Sequence, residues 1–276
     1  EPTFIPALRK AGHQAYFMPL AVDPTYFNTD KPQPPYERDV AFVGTSSLEF
    51  VDEILGKSLV DELEQFGGLM KTMREMYEKN PTSDLRRFLL DNKATWAPRI
   101  TIEEEKFLFS MQWMVEFLHR RDFIVDIAQT YGERFTCFGD IYWSKFMPKE
   151  QVSTDARYYT NLCEYYRSTK INLNLNRIQI RTAFTQRVFD TKACGAFLLT
   201  QRRALNEKFF VTAGPQRELV EFDSLAQCKE LIDYYRDRDD EREAIALAGH
   251  EKVLSNHTYE QRLEQMLGIC KDVWKF

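Results

Sequence analysis

The strongest constraint on the fold is an alternation of short apolar runs with amphipathic stretches. Each run has the length of a strand that is buried on both faces of a parallel sheet. The runs are residues 39–46, 135–138, 171–175, 196–199 and 219–222. Helical patterns fill the later gaps, at residues 186–194, 225–235, 239–254 and 258–274. This alternation predicts an α/β fold with a doubly wound parallel sheet.

Length, charge and cysteine content narrow the class of protein. With 276 residues, 43% of them hydrophobic, the chain can bury a large core. The net charge of −5 gives no basic face, so we expect no nucleic-acid partner. No apolar run reaches the roughly 18 to 20 residues of a membrane span, and the start does not resemble a signal peptide. The widely spaced cysteines predict a reduced, cytoplasmic protein without a metal site; they are Cys137, Cys163, Cys194, Cys228 and Cys270.

The first part of the chain reads as a strand followed by a linker. Residues 15–21 have the pattern of a short strand. Four of the eleven prolines then fall within twelve residues, at Pro24, Pro32, Pro34 and Pro35. Such a stretch is typical of a linker. We therefore place a domain boundary near residue 37 and assign residues 38–276 to the Rossmann-like domain.

A block of helical, highly charged sequence separates the first two strands of this domain, at about residues 48–131. A charged helix is more often a solvated face with one packed stripe than a functional site. The block is nevertheless long for a connection in a Rossmann-like domain, and long connections are often functional. The hypothesis is an insertion that binds the acceptor of a reaction or forms oligomers.

The stretch from residue 171 to residue 200 indicates a ligand site. Its loop and the first turn of its helix lie where a parallel sheet binds ligands, at the carboxyl ends of the strands. The helix N-terminus suits a phosphate or diphosphate, and Thr185, Gln186 and Arg187 add polar groups beside it. Asp190, one turn later, is placed to accept hydrogen bonds from a ribose. The alternative is a helix that caps itself, with Asp190 complementing the dipole.

Two further strand ends contribute candidates. Gly44 and Thr45 follow the first strand and can approach a phosphate through the backbone. Gly139 and Asp140 follow the second strand. The aromatic residues after them, at positions 142 and 143, either stack on a base or cover the core, and we favour packing.

The histidines lack the spacing of metal ligands, and no catalytic residue can be assigned from the sequence. For His250 and His257, near two helix ends, capping or packing is the favoured interpretation.

Several of these segments resemble a known family. Residues 168–174 (STKINLN) and 187–200 (RVFDTKACGAFLLT), with the tail at 240–253 and 256–263, are similar to the C-terminal signature of group 1 glycosyltransferases. The similarity is to the branch of spore-maturation-like proteins. It covers about residues 165–270, with weaker likeness at 17–24 and 40–45.

The resemblance implies a GT-B architecture, with two Rossmann-like domains and a nucleotide-sugar donor held mainly by the C-terminal one. Residues 1–37 would then be the end of an N-terminal domain, mostly absent here, and the linker. The family commonly carries two acidic residues eight positions apart. Asp190 matches the second, whereas Thr182 stands at the first. Arg187, or Arg181 in the same loop, would supply the positive charge for the diphosphate.

The sequence thus predicts a metal-independent glycosyltransferase, hexosyltransferase-like, that needs no cofactor. Its donor would be a UDP- or GDP-linked sugar and its acceptor an unidentified glycan, lipid or protein. Retention at the anomeric carbon follows from the resemblance alone. Two alternatives stay open. One is a GT-B-like binding or structural protein without turnover, which Thr182 favours. The other is a sugar-nucleotide epimerase, for which the sequence offers no acid/base set.

Overall fold

A parallel sheet forms the centre of the protein. The computed structural model describes residues 1–48, 51 and 63–274. The strands of the described residues are β1 (Arg38–Val43), β2 (Phe135–Phe138), β3 (Val152–Ser153), β4 (Thr169–Asn174), β5 (Leu198–Gln201) and β6 (Val220–Phe222). They confirm the five predicted runs, with shifts of a few residues at their ends. The two-residue strand β3 was not predicted.

The strand order is β3-β2-β1-β4-β5-β6, and every neighbouring pair is parallel. This is the order of a Rossmann fold. The direction of winding reverses between β1 and β4, which pair with Phe42 opposite Leu173. In such sheets the crevice for a ligand opens at this reversal, beyond the carboxyl ends of the two strands.

The α-helices surround the sheet and build the insertion. In chain order they are α1 (Ile5–Lys10), α2 (Gly67–Lys79), α3 (Leu85–Asp91), α4 (Lys93–Trp96), α5 (Glu104–Tyr131), α6 (Leu162–Arg167), α7 (Arg187–Ala193), α8 (Asn206–Phe209), α9 (Leu225–Tyr235), α10 (Asp239–Asn256) and α11 (Tyr259–Trp274). In the part of the chain that is described, no helix has the length and apolar character needed to cross a membrane.

Capping boxes begin α9 and α11. The Ser224 hydroxyl accepts from the Gln227 N–H at 3.2 Å at the start of α9. At the start of α11 the Thr258 N–H donates to the Gln261 side chain at 2.8 Å, and the Gln261 N–H donates back to Thr258. These bonds satisfy N–H groups that the first turn of a helix leaves free.

Both faces of the sheet are covered by helices. On one face α9, the start of α10 and the second half of α5 pack against β1, β2 and β4. On the other face lie α6, α7 and the end of α10. Burial on both faces explains why the strands read as continuous apolar runs rather than as alternating patterns.

The insertion has an apolar core of its own. This core includes Tyr77 of α2, Leu89 of α3, Trp96 of α4 and Phe107 of α5. The long helix α5 continues from it into the sheet core through Ile124. One helix therefore fixes the insertion above the carboxyl ends of the strands. Residues 49–50 and 52–62 of the predicted insertion lie outside the described residues.

The predicted strand at residues 15–21 is wrong, because this segment forms no regular element. Phe17 packs against the apolar cluster beside α6 and α7, whereas Tyr16, Met18 and Leu20 are exposed. The Arg262 guanidinium donates to the carbonyls of Pro19 and Leu20. Val22 alone makes a bridge, with Thr258. Because this segment has no strand partner, a side chain such as that of Arg262 supplies hydrogen bonds to its backbone carbonyls.

Candidate functional site

The candidate residues of the first two strand ends meet at the carboxyl edge of the sheet, beside the reversal point. Gly44 follows β1, and its carbonyl accepts from the Trp143 indole at 2.9 Å. A Cβ on Gly44 would lie 2.8 Å from the Phe42 ring and 3.2 Å from the Arg187 guanidinium. A Cβ on Gly139 would overlap the Gly44 carbonyl oxygen. Both positions therefore need glycine for close approach.

Asp140 joins the two strand ends. One carboxylate oxygen accepts from the Ser46 N–H at 2.6 Å, and the other accepts from the Tyr142 N–H at 3.1 Å. Thr45, beside Ser46, is exposed. Trp143 is fully buried, which confirms packing as its role. In this structure Asp140 fixes the loop shape, and Thr45 offers a hydroxyl that faces solvent.

Asn174 at the end of β4 organises the loop before α7. Its side-chain oxygen accepts from the Thr185 hydroxyl at 3.0 Å and from the Arg187 guanidinium. Its amide nitrogen donates to the Thr200 hydroxyl of β5 at 2.8 Å. The Asn176 side chain accepts from the Thr185 N–H at 3.2 Å. Thr185 and Arg187 thus lie together at the sheet edge.

Asp190 lies inside the protein. The Tyr158 hydroxyl and the Gln186 amide donate to its two oxygens, at 2.7 and 2.8 Å. Its exposed fraction is 1%. Burial raises the pKa of Asp190 to about 6, although both hydrogen bonds and the Arg187 charge oppose that shift. Both oxygens thus have protein partners in this structure.

Two arginines that the sequence reasoning missed complete a cluster with Arg187. Arg187 and Arg120 lie over the same Phe42 ring, at 5.6 and 6.0 Å from its centroid. Burial lowers the pKa of Arg187, and the charges of Arg120 and Arg177 lower it further. Burial and Arg120 likewise lower the pKa of Arg177. The three guanidinium groups act on one another at the reversal point.

Two carboxylates act on this arginine cluster (Arg120, Arg177 and Arg187). Glu116 forms a buried ion pair with Arg120 at 2.7 Å, and Asp190 acts on Arg187 at longer range. Within the described residues, Arg177 and Arg187 form no ion pair. Counted over the residues that the structure describes, the three arginines therefore exceed these two carboxylates by one positive charge. A site of this composition suits an anion such as a diphosphate.

A signal for Arg120 exists in the sequence. Glu116 and Arg120 stand four residues apart on a helix and look like a solvated pair. However, they share a face with buried residues such as Val115 and Ile124. A charge pair on an apolar face, rather than opposite one, is the feature that could have marked them.

Arg181 and Thr182 belong to other contacts. Arg181 pairs at 2.7 Å with Asp84, the residue that caps α3, so it joins the loop to the insertion. The Thr182 hydroxyl and N–H donate to the Glu1 carboxylate at 2.6 and 3.2 Å. Arg181 is thus not part of the arginine cluster.

The two C-terminal histidines have structural contacts, as the packing interpretation predicts. His250 contacts the Ala193 carbonyl through Nδ1 at 2.8 Å. His257 lies among the rings of Phe189, Phe209 and Phe210. Burial, with the Arg262 and Lys252 charges, lowers the pKa of His257 to about 4.

The buried Asp190 leads to a pH-dependent prediction. Its folded-state pKa lies above the ordinary value of 3.8, so the fold loses stability as pH rises from about 4 through about 6. A shift of this size corresponds to about 3 kcal/mol. Asp190→Asn removes the ionisation while retaining polar partners for Tyr158 and Gln186. We expect the variant to gain stability relative to the native chain between pH 4 and pH 7, measured by urea unfolding.

The control for this experiment is Asp237→Asn, because the Asp237 side chain is 72% exposed. Its difference from the native chain is expected to stay nearly constant with pH. If the free energy of unfolding of Asp190→Asn also differed from that of the native chain by the same amount at every pH, a raised pKa of the buried Asp190 carboxyl would be contradicted.

Comparisons with known proteins concern the family of the chain and its similarity to solved structures. A family model described as glycosyl transferase-like matches residues 119–268, more than half of the chain. All three arginines of the cluster lie within the matched residues. A search of curated proteins found no match. Among solved structures the chain is similar to a sucrose-phosphate synthase from Thermosynechococcus elongatus, with 14% identity and a TM-score of 0.47. The similarity covers 100% of this chain and 57% of that one.

Proposed function

The chain belongs to the glycosyl transferase-like family, and we propose that it transfers a sugar from a nucleoside-diphosphate-sugar donor that it binds at the reversal point of the sheet. The observation that carries the proposal is the arginine cluster. Among the described residues its positive charge is larger than the negative charge of its carboxylate partners. A diphosphate offers the matching charge and several acceptor oxygens.

The proposed donor lies beyond the ends of β1 and β4. Gly44 lets the Phe42 ring and the Arg187 guanidinium lie close to the backbone at this edge, and exposed Thr45 offers a hydroxyl. Arg187 and Arg177 would hold the diphosphate from the β4 side, and Arg120 from the insertion helix α5. The nucleoside would extend toward Gly139 and Asp140 at the end of β2. Opening of the Tyr158 and Gln186 bonds would free Asp190 for the ribose.

The proposed role of the cluster in the reaction is electrostatic. Negative charge grows on the diphosphate as the bond between the anomeric carbon and the phosphate oxygen breaks. Guanidinium groups that are already in place stabilise this charge without reorganising. The proposal calls for no metal ion or cofactor, because the arginines supply the positive charge. UDP- and GDP-linked sugars are the proposed donors, and the acceptor would be a glycan, lipid or protein.

A second candidate is a binding protein of the same fold that holds a nucleotide without turnover. The contacts of Asp190 favour it, because both of its oxygens have protein partners. Thr182 is also occupied, by the Glu1 carboxylate. Hydrolysis of a bound donor separates the two candidates, because a transferase releases the sugar slowly to water and a binding protein releases none.

A thermal-shift screen with UDP, GDP, ADP, TDP and CDP tests the binding step. A nucleotide at 100 times its dissociation constant adds about 2.7 kcal/mol, which raises the melting temperature by several degrees. We expect UDP or GDP to give this shift. Arg177→Met should reduce it strongly, since Arg177 forms no ion pair with a described residue and its guanidinium lies only over the Trp113 ring, at 5.2 Å from the centroid.

Arg181→Met is the matched control, because Arg181 lies in the same loop but pairs with Asp84 of the insertion. Its nucleotide response should equal that of the native chain. A native chain that responds to none of the five nucleotides would refute donor binding. If both variants lost the nucleotide-induced rise in melting temperature to the same extent, the nucleotide would bind away from the arginine cluster.

A further inference from the structure

Two cysteines on neighbouring helices are in contact. Cys163 lies on α6 and Cys194 directly follows α7. Both belong to the same apolar cluster, the Cys163 thiol donates to the Asn28 carbonyl at 3.3 Å, and the Cys194 thiol is placed to donate to the Cys163 sulfur. Cys194 is fully buried, whereas Cys163 lines a surface cavity of about 330 Å³. One sulfur of the pair thus meets solvent, and the other stands behind it.

The surroundings of Cys163 favour its thiolate. Lys31 and Arg167 line the same cavity. The Arg167 side chain is 93% buried, since its exposed fraction is 7%. Its Nε has no hydrogen-bond partner, and it forms no ion pair within the described ranges. The Cys194 hydrogen bond, with the Arg167 and Lys31 charges, lowers the pKa of Cys163 although burial opposes this.

The other cysteines differ in ways that matter for reactivity. Burial raises the pKa of the Cys137 and Cys228 thiols, and both side chains are fully covered. Cys270 is partly exposed on α11. A cysteine reacts faster with an oxidant when more of its sulfur is present as thiolate and when the oxidant can reach it. Cys163 alone combines a lowered pKa, access through a cavity and a second thiol in contact, among the described cysteines.

We propose that Cys163 and Cys194 form a reversible oxidation site that reacts with hydroperoxides. The Cys163 thiolate attacks the peroxide, the O–O bond breaks and an S–O bond forms, which gives a sulfenic acid and an alcohol or water. The Cys194 sulfur then attacks the Cys163 sulfur. An S–S bond forms, the S–O bond breaks, and the departing hydroxide takes the Cys194 proton as water. The peroxide gains the two electrons that the two thiols lose.

The fold gives the disulfide a mechanical consequence. It joins α6 to the end of α7, the helix that begins with Arg187. The segment around Asn28 and Thr29 covers the pair, since the Asn28 carbonyl lies 3.3 Å from the Cys163 sulfur. A Cβ on Gly195 would lie 2.9 Å from the Thr29 methyl group, so this cover is tight. The proposal is independent of the proposed transferase function.

The test is to treat the full chain with one equivalent of hydrogen peroxide and to count thiols after denaturation. The number should fall from five to three, and peptide mass spectrometry should find one linked pair, Cys163 with Cys194. A reductant should restore all five. In Cys194→Ser, which has no second thiol, dimedone should label Cys163 as a sulfenic acid.

Cys270→Ser is the control and should still form the linked pair at the native rate. Cys163→Ser should keep all four of its remaining thiols under the same treatment. Linkage of any other pair, or oxidation of Cys163 no faster than that of Cys270, would overturn the proposal. The mapping in the native chain decides the matter even where a variant fails to fold.

Discussion

Replacement of Lys192 by methionine is expected to raise the free energy of unfolding at pH 7 by about 3 to 5 kcal/mol. The Lys192 side chain is fully buried in α7, and its Nζ has no hydrogen-bond partner in the described structure. Burial lowers the pKa of Lys192 from 10.5 to about 7, although the Glu218 charge opposes the shift. Folding at pH 7 therefore has to remove a proton that the unfolded chain holds firmly.

The packing around Lys192 makes methionine a suitable replacement. Its stem runs between α7 and α10, where a Cβ on Gly249 would lie 2.6 Å from the Lys192 Cδ. Its ammonium group also lies 5.9 Å from the centroid of the Phe197 ring. Methionine is unbranched, flexible and without charge. It therefore fills the same space and has no proton to lose on folding.

The pH dependence distinguishes this explanation from a simple gain in packing. The unfolded chain binds more protons than the folded one between pH 7 and 10.5, so the native chain gains stability as pH rises through that range. The advantage of Lys192→Met should accordingly shrink toward pH 10, as measured by urea unfolding. Lys71→Met, at a side chain that is 78% exposed, should stay within about 0.5 kcal/mol of the native chain. A variant less stable than the native chain, or a gap constant with pH, would contradict the buried charge.

The strands were predictable because burial on both faces of the sheet gives each strand a continuous apolar run in the sequence. Residues 135–138 form β2 as predicted, and the other apolar runs coincide with strands to within a few residues. The segment at 15–21 has a similar apolar run but forms no strand, and its Tyr16, Met18 and Leu20 side chains are exposed. An apolar run therefore predicts a buried strand only where neighbouring strands are present to pair with it.

The candidate site was predictable where it depends on local chain order. Gly44, Thr185 and Arg187 each follow from a strand end or a helix start, and the parallel sheet brings them to one edge. Arg120 comes from a helix more than 50 residues before Arg187 in the sequence. Its position depends on how α5 crosses from the insertion to the sheet, which no local pattern contains. The same holds for Tyr158 and its bond to Asp190.

Glu116→Gln is the second substitution with a large expected effect. Glu116 is 1% exposed and Arg120 is 3% exposed. One Glu116 oxygen pairs with Arg120 at 2.7 Å, and the other accepts from the Ile178 N–H at 2.7 Å. Loss of the negative charge leaves the buried guanidinium uncompensated, which costs about 3 to 5 kcal/mol. We expect a loss of this size in the free energy of unfolding, again by urea titration.

The control is Glu75→Gln, at an ion pair with the same four-residue spacing on α2. Its partner Lys71 lies at 3.8 Å, and the two side chains are 62% and 78% exposed. Exposed pairs of this kind contribute about 0 to 1 kcal/mol. A large loss in both variants would show that spacing on a helix, rather than burial, sets the cost.

Nucleotide binding connects the Glu116 prediction to function. Without the Glu116 charge, the arginine cluster carries a larger excess of positive charge, and a diphosphate can take the place of the carboxylate. UDP or GDP should therefore stabilise Glu116→Gln by more than it stabilises the native chain, and part of the lost stability should return. If Arg120 serves the fold alone, the nucleotide raises the melting temperatures of both proteins equally. The difference between the two shifts thus measures whether the buried pair that supports the insertion also faces the donor.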